Sequence, residues 1–222
     1  MLSVVIPTAD SEEGLARTLA SLVSGAAEGV VREVIVADRG SRDGTRVVAD
    51  AAGCTLVDAR GGWVERVATG MAAARRAPWF LILPPHVFLE GDWFREAAAF
   101  VDRVERSGRA ASATAAFRLA YDEFGWRPRL AERLAAAAVG LFGAPLREQG
   151  LLVAQRAFTA AAAALPPGAD HADLVARLGR RSIHLLRADA VVLPSGGAVP
   201  SAGRLARIAL AGLGLPAPRD GD

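Results

Sequence analysis

The first 83 residues of the chain alternate four times between a short apolar run and a segment with helical periodicity. The apolar runs are LSVVIP, REVIVAD, CTLVDA and WFLIL, and each has the length of one buried strand. Strands that are apolar on both faces lie inside a sheet covered by helices, and strand–helix repeats join parallel neighbours. The sequence therefore predicts an α/β fold with a mostly parallel central sheet flanked by helices.

The pattern changes after this repeat. Helical patterns run through GDWFREAAAFVDRVERSG, RPRLAERLAAAAVGLFG and DHADLVARLGRR. AASATAAFRLAYD alternates like an antiparallel strand, QGLLVAQRAF has the pattern of a strand that turns into a helix, and SIHLLRADAVVLP is typical of a late strand. Because neither an internal repeat nor a flexible linker interrupts the chain, we predict one domain over residues 1–222. It has a front half (1–93), a back half (94–194) and a C-terminal tail (195–222).

Composition narrows the class of protein. Hydrophobic residues make up 52% of the chain, enough for a sizeable core, and no run approaches the roughly 18 unbroken apolar residues of a membrane span. The 26 basic residues are all arginine and the net charge is only +2, so we expect no nucleic-acid partner. Cys54 is the only cysteine, which excludes an internal disulfide. We expect a cytoplasmic protein, since MLSVVIPTADSEE lacks the basic segment of a signal peptide.

Two of the predicted strands end in polar residues at the same edge of the sheet. The first ends in VVIPTAD, which contains Pro7 and Thr8, and the second ends in VIVADRGSRDGT, which contains Asp38. A carboxylate that ends a buried strand needs a partner, and base N–H groups and ribose hydroxyls are suitable donors. The helix that follows attracts phosphate at its amino end. This pattern predicts a nucleoside site, while helix capping is the alternative role of Ser41 and Asp43.

These blocks carry a resemblance to a known family. SVVIPTADSEEGLARTLASL and EVIVADRGSRDGT resemble the opening of family 2 glycosyltransferases with the GT-A fold, in particular the small bacterial members. The likeness continues through TGMAAARRAPWFLIL, AAFRLAYDEFGWRPRLAERLAAAAVGLFGAPLREQGLLV and DHADLVARLGRR, to about residue 194. It implies transfer of a sugar from a nucleotide-sugar donor, usually with inversion, to an acceptor that the sequence does not identify. The front half would bind the nucleotide and the back half the acceptor.

The resemblance also implies roles for particular residues. The aspartate that matches Asp38 binds the nucleobase with Thr8 beside it, and an acid in the position of Asp58 touches the base or ribose. An acidic DxD-like motif at the end of the fourth strand holds ribose and a divalent cation, Mn²⁺ or Mg²⁺. An acidic pair at the start of a later helix supplies the general base. Glu148 and Gln149 of REQG match the DQ of a GDQG segment in the small bacterial members, and we expect them on the acceptor side.

The chain departs from the family at both acidic motifs. Pro84, Pro85 and His86 stand where the metal-binding acids belong, and Asp170 and His171 replace the pair that supplies the base. In one interpretation His86 becomes a metal ligand and His171 the general base, because imidazole is a competent base near neutral pH. In the other interpretation the chemical half of the site has decayed.

Three functions remain open at this point. The first is a glycosyltransferase whose activity is weak, with Asp170 and His171 as its catalytic residues. The second is a catalytically inactive relative that acts as a binding or scaffold module. The third, a nucleotidyltransferase on a related sheet, lacks the glycine-rich phosphate loop and lysine that such enzymes often use.

Several further residues have two alternative roles each. Arg75 and Arg76 could reach a diphosphate or simply face solvent at a helix end. Trp126 could stack on a sugar, although we expect core packing.

The tail offers another alternative. Arg204 and Arg207 lie among Leu205, Ile208 and Leu210. Such a segment could rest on an anionic membrane surface or pack against its own domain.

Overall fold

A computed structural model of the protein describes residues 1–110, 112–179 and 183–193. The strands are β1 (Leu2–Thr8), β2 (Val31–Asp38), β3 (Thr55–Asp58), β4 (Trp79–Ile82), β5 (Val87–Leu89), β6 (Thr114–Tyr121), β7 (Leu151–Ala154) and β8 (Ile183–Val192). The helices are α1 (Glu12–Ala27), α2 (Thr45–Ala51), α3 (Trp63–Ala73), α4 (Trp93–Arg106), α5 (Trp126–Phe142), α6 (Gln155–Ala162) and α7 (His171–Leu178), with a short 3₁₀ helix at Arg147–Gln149.

The eight strands form one sheet in the order β3-β2-β1-β4-β7-β6-β8-β5. Neighbours pair in parallel from β3 to β4 and between β6 and β8, whereas β7 is antiparallel to both of its neighbours and β5 is antiparallel to β8. Six of the eight strands therefore run in the same direction. The prediction of an α/β fold with a mostly parallel central sheet is confirmed.

The register of this sheet places three predicted site residues in one row. Thr8 of β1 pairs with Asp38 of β2, and Asp38 pairs with Asp58 of β3. We call this edge, where the same-direction strands end, the carboxyl edge. It also carries the ends of β4, β6 and β8 and the start of β7. Open α/β sheets place their ligands at such an edge.

Aromatic side chains join the front and back of the chain within the core. Trp93 of α4 is fully buried, donates a hydrogen bond to the carbonyl of Ser21 in α1 (3.0 Å) and packs edge-on against Phe117 of β6 (6.2 Å between ring centroids). Trp79 of β4 packs in the same way on Phe100 (6.1 Å). Buried aromatic pairs contribute about 0.5–1.5 kcal/mol beyond the area that they bury, so these contacts fix α4 against the sheet.

Two features of the fold were not apparent in the sequence. Strand β5 is only three residues long, which is too short for a recognisable hydrophobic pattern. It is a strand because it pairs with β8. Trp126 is 69% exposed, so the expectation of core packing is wrong. His184 lies exposed on β8 with its ring 5.5 Å from that of Phe100.

Among the described residues, no helix combines the length and the apolar character needed to cross a membrane. The C-terminal tail, with Arg204 and Arg207, lies outside the described residues.

Candidate functional site

Asp38 organises the carboxyl edge at the end of β2. Its side chain is 1% exposed. One carboxylate oxygen accepts from the hydroxyls of Thr8 (3.0 Å) and Ser41 (2.5 Å), and the other accepts from the amides of Gly40 (3.2 Å) and Ser41 (3.0 Å). The protein itself therefore supplies hydrogen-bond donors to this buried carboxylate.

Arg46 completes this network and was not recognised in the sequence. Its guanidinium lies 2.7 Å from the carboxylate of Asp58 and 3.3 Å from that of Asp38, and its side chain is 43% exposed. Arg46 thus bridges the ends of β2 and β3. The available signal was its position in the first turn of α2, directly after a loop that begins at Asp38.

The charge on Asp38 is maintained by its hydrogen bonds. Burial raises the pKa of this carboxyl group, but the bonds from Ser41, Thr8 and Gly40 outweigh burial and hold the pKa below its usual value. Asp38 is therefore ionised at neutral pH and accepts five hydrogen bonds in total. A nucleobase bound to Asp38 would donate to the same carboxylate oxygens that accept hydrogen bonds from Gly40 and Ser41 in the loop after β2.

The loops that follow β1 and β2 are joined by reciprocal hydrogen bonds. The amide of Asp10 donates to the hydroxyl of Ser41 (2.9 Å), and the amide of Arg42 donates to the carboxylate of Asp10 (2.7 Å). The amide of Glu12 donates to Asp43 (3.0 Å). Ser41 therefore does not cap α2; it bonds to Asp38 and to the other loop. The two loops are thus hydrogen-bonded to each other above Thr8 and Asp38.

Pro84, Pro85 and His86 follow β4 at the same edge and form a turn that we call the PPH turn. Pro84 is buried, while Pro85 and His86 are half-buried. Proline has no ligating side-chain atom, so the turn offers one imidazole where the family holds a metal with carboxylates. Within the described residues, no group of three or more histidine, cysteine, aspartate or glutamate side chains could hold a metal ion. This donor set does not fit Mn²⁺ or Mg²⁺, which prefer oxygen ligands.

His171 is the first residue of α7 and packs against α3. It is 9% exposed, and its ring meets that of Trp63 edge-on at 5.2 Å. Asp170 is the N-cap of the helix: its carboxylate accepts from the amide of Asp173 (3.0 Å), and its own amide donates to Asp173 (3.0 Å). This reciprocal capping occupies Asp170 and leaves His171 as the better candidate for a base.

The surroundings of His171 keep its imidazole neutral. Burial lowers the pKa of His171 to about 4, the nearby charge of Glu148 raises it, and that of Arg147 lowers it. The Nε2 atom is buried and has no hydrogen-bond partner among the described residues. A neutral imidazole with an unused nitrogen can accept a proton.

Glu148 and Gln149, predicted to lie on the acceptor side, meet this part of the edge. Gln149 is fully buried, donates to the carbonyl of Phe117 (2.8 Å) and accepts from the amide of Leu146 (2.9 Å), so it fixes the turn before β7. Glu148 is half-buried, and its charge acts on His171. The structure therefore brings the predicted acceptor pair and the predicted base together.

Arg75 and Arg76 lie far from these groups. Their amides donate to the carboxylate of Glu33 (2.9 and 2.7 Å) near the amino end of β2, at the opposite edge of the sheet. Of the two alternatives for this pair, contact with a diphosphate is wrong.

Comparisons with known proteins agree with this geometry. The sequence model of glycosyl transferase family 2 matches residues 3–142, and no curated protein matches the chain. Glucosyl-3-phosphoglycerate synthase from Mycobacterium tuberculosis, solved with Mn²⁺, UDP-glucose and phosphoglyceric acid, has a TM-score of 0.59 and 20% identity, over 97% of this chain and 80% of that one. The same enzyme with phosphoglyceric acid has a TM-score of 0.58, 20% identity and coverage of 97% and 81%.

A further solved structure, described as a mycobacterial protein, has a TM-score of 0.56 and 21% identity over 97% of this chain and 76% of that one. At such identities these structures show the shared GT-A fold alone. The family match is independent of them and spans more than half of the 222 residues. The chain therefore belongs to glycosyl transferase family 2.

Proposed function

We propose that this protein transfers a sugar from a nucleotide-sugar donor to an acceptor hydroxyl. The observation that carries the proposal is that an ionised, buried Asp38 and a neutral, buried His171 lie at the same edge of a family 2 sheet. Thr8, Asp38 and Asp58, with Pro7 beneath them, would hold the nucleoside. His171 would take the acceptor proton, with Glu148 and Gln149 on the acceptor side.

The proposed step is a direct displacement. The acceptor oxygen forms a bond to the anomeric carbon, and its proton moves to the imidazole of His171. The bond between the anomeric carbon and the diphosphate oxygen breaks, and its electron pair stays on the diphosphate. The site must therefore supply a base on one side of the sugar and positive charge on the other.

Uridine diphosphate sugars are the first donors to test. The structures of glucosyl-3-phosphoglycerate synthase to which this chain is similar contain UDP-glucose and Mn²⁺. Because similarity at 20% identity carries the fold only, the donors to test include several sugars on uridine diphosphate.

We expect the protein to bind a nucleoside diphosphate but to turn over its donor slowly. Loss of metal stabilisation of the leaving group forfeits several kcal/mol, which corresponds to roughly a few orders of magnitude in rate. The measurement is hydrolysis or transfer across common nucleotide sugars between pH 6 and 8, beside calorimetric titration of the diphosphates. Turnover near about 1 s⁻¹ would contradict weak activity. Nucleotide binding without turnover would favour the inactive binding module instead.

We also propose peripheral contact with an anionic membrane surface, on the cytoplasmic side. At the end of β6, Phe124 is fully exposed beside the exposed Trp126, and Arg127 lies over the Trp126 ring at 5.5 Å. Exposed aromatic side chains with adjacent arginines suit the interface of a bilayer. This observation supports the contact independently of the tail.

Co-sedimentation with phosphatidylglycerol vesicles tests this contact. We expect the double variant Phe124→Ser/Trp126→Ser to lose most of the binding, because insertion of aromatic rings supplies the apolar part of the affinity. Val23→Ser/Val47→Ser is the matched control, since both valines are exposed to a similar degree elsewhere (64% and 72%). Deletion of residues 203–222 tests the tail. Equal sedimentation of all variants, or none at low salt, would contradict the contact.

A further inference from the structure

The backbone of the PPH turn is as poor a set of metal ligands as its side chains. The carbonyl of Pro84 accepts from the amide at the start of β5 (3.4 Å), and that of His86 accepts from the amide of Leu193 (2.9 Å). The carbonyl of Pro85 is turned onto α1, where a Cβ atom at Gly14 would lie 2.4 Å from its oxygen. Two carbonyls of the turn therefore accept backbone hydrogen bonds and the third packs closely against α1, so the charge of a leaving diphosphate needs another partner.

Arg66 is placed between the two halves of the site. It belongs to the first turns of α3, is half-buried, and donates to the carbonyl of Thr8 (3.4 Å). Thr8 ends β1, which lies between β2 and β4 in the sheet. Trp63, three residues before Arg66 on the same helix face, contacts His171. A donor that binds its nucleoside at Thr8 and Asp38 and presents its sugar towards His171 passes its diphosphate by Arg66.

The neighbouring Arg46 is already committed to other groups. Its guanidinium pairs with the carboxylates of Asp38 and Asp58, and both carboxylates raise its pKa. Arg46 therefore stabilises the row formed by Thr8, Asp38 and Asp58. Arg66 instead donates to the carbonyl oxygen of Thr8 at 3.4 Å, and an anionic phosphate oxygen would be a stronger acceptor for the same guanidinium.

We propose that Arg66, rather than a divalent cation, neutralises the leaving diphosphate. A guanidinium is permanently charged and can donate two parallel hydrogen bonds to phosphate oxygens. When the bond to the anomeric carbon breaks, the electron pair stays on the diphosphate oxygen, which the N–H groups of Arg66 stabilise without transferring a proton. This inference rests on the proposed function. It identifies the group that stabilises the leaving diphosphate at a site that lacks carboxylate ligands for a metal.

The test separates the phosphate contact from the nucleoside contact. UDP, GDP and dTDP are titrated calorimetrically, and the tightest binder is compared with its nucleoside in Arg66→Gln, Arg66→Lys and the wild type, with and without Mn²⁺. We expect Arg66→Gln to bind the diphosphate about ten- to a hundredfold more weakly, with nucleoside affinity unchanged. Arg66→Lys should recover part of the loss because it keeps the charge. Arg75→Gln, which removes the same charge at the opposite edge, is the matched control.

The outcomes distinguish this inference from the proposed function. If Arg66→Gln is folded by circular dichroism and binds the diphosphate as tightly as the wild type, the inference is overturned while the function stands. An increase of about a hundredfold with Mn²⁺ that disappears in His86→Ala would also overturn it, because the metal would then be the partner of the diphosphate. If neither diphosphates nor nucleosides bind, the proposed function falls and the inference with it. Less than about a tenfold effect of Mn²⁺, together with the loss in Arg66→Gln, supports it.

Discussion

When the pH is lowered from 7 to 4, the free energy of unfolding of the wild type should fall by about 3 kcal/mol more than that of the variant His171→Phe. The imidazole of His171 is 9% exposed, and burial lowers its pKa from 6.5 to about 4. Phenylalanine keeps an aromatic ring against Trp63 but does not titrate. The difference between the two proteins therefore isolates the protonation of this side chain.

The direction of the effect follows from where each state binds a proton. Well above pH 6.5 the imidazole is neutral in both the folded and the unfolded chain, and its protonation does not affect stability. Below that pH the unfolded chain takes up a proton that the folded chain accepts only near pH 4. Stability is lost across this window at about 1.36 kcal/mol per pH unit, and the loss levels off below the folded pKa.

Urea unfolding curves measured from pH 7 to pH 4 test this expectation. His184→Phe is the matched control. Partial burial and then Arg103 and Arg109 also lower the pKa of His184, but the residue is exposed on β8, so its replacement should remove a smaller part of the pH dependence. Parallel stability profiles of the wild type and His171→Phe would show that His171 is already protonated in the folded protein or is accessible to water. A base with so low a pKa would also keep transfer independent of pH until the pH approaches 4.

Local patterns in the sequence were sufficient for the sheet and for the row of polar strand ends. Continuous apolar runs are typical of parallel strands, and Asp38 follows such a run directly, so its place at the carboxyl edge could be predicted. The position of His171 at the start of α7 followed equally well from the helical period after Asp170. These features depend on residues close together in the chain.

Features that depend on contacts distant in the chain could not be predicted. Arg46 meets Asp58 across 12 residues, and Arg66 meets Thr8 across 58, so neither appears as a motif. The close packing of Gly14 on Pro85 depends on how α1 crosses the PPH turn. Trp126 is the first residue of a segment with helical periodicity, which does not show whether its ring faces the core. Only the packing of α5 in the structure shows that the ring faces outward.

Replacement of Asp38 by alanine should lower the stability of the fold by about 1–3 kcal/mol, the range for leaving buried hydrogen-bond donors without their acceptor. A role in nucleobase binding alone would predict a loss of nucleotide affinity with little loss of stability. The structure changes this expectation, because the carboxylate is 1% exposed and accepts five hydrogen bonds. Its removal leaves the buried hydroxyl of Thr8 without its acceptor and Arg46 without one of its two partners.

Asp43→Ala is the matched control for this variant. Asp43 lies five residues further along the same loop and also accepts several hydrogen bonds, but it is exposed. Water can replace the lost acceptor there, so we expect a loss of only about 1 kcal/mol. A similar loss in both variants would show that burial of Asp38 is not what makes its network costly to break.

Nucleotide affinity should fall together with the stability of Asp38→Ala. One charge-assisted hydrogen bond accounts for roughly ten- to a hundredfold in affinity, and disorder of the loop after β2 would add to that loss. Asp38→Asn separates the two contributions, since it keeps the shape but exchanges one acceptor oxygen for a donor that cannot accept from the amides of Gly40 and Ser41. Calorimetry with UDP on folded Asp38→Asn therefore measures the contact itself. Unchanged affinity there would mean that Asp38 holds the loop and that the base is recognised by other groups of the row.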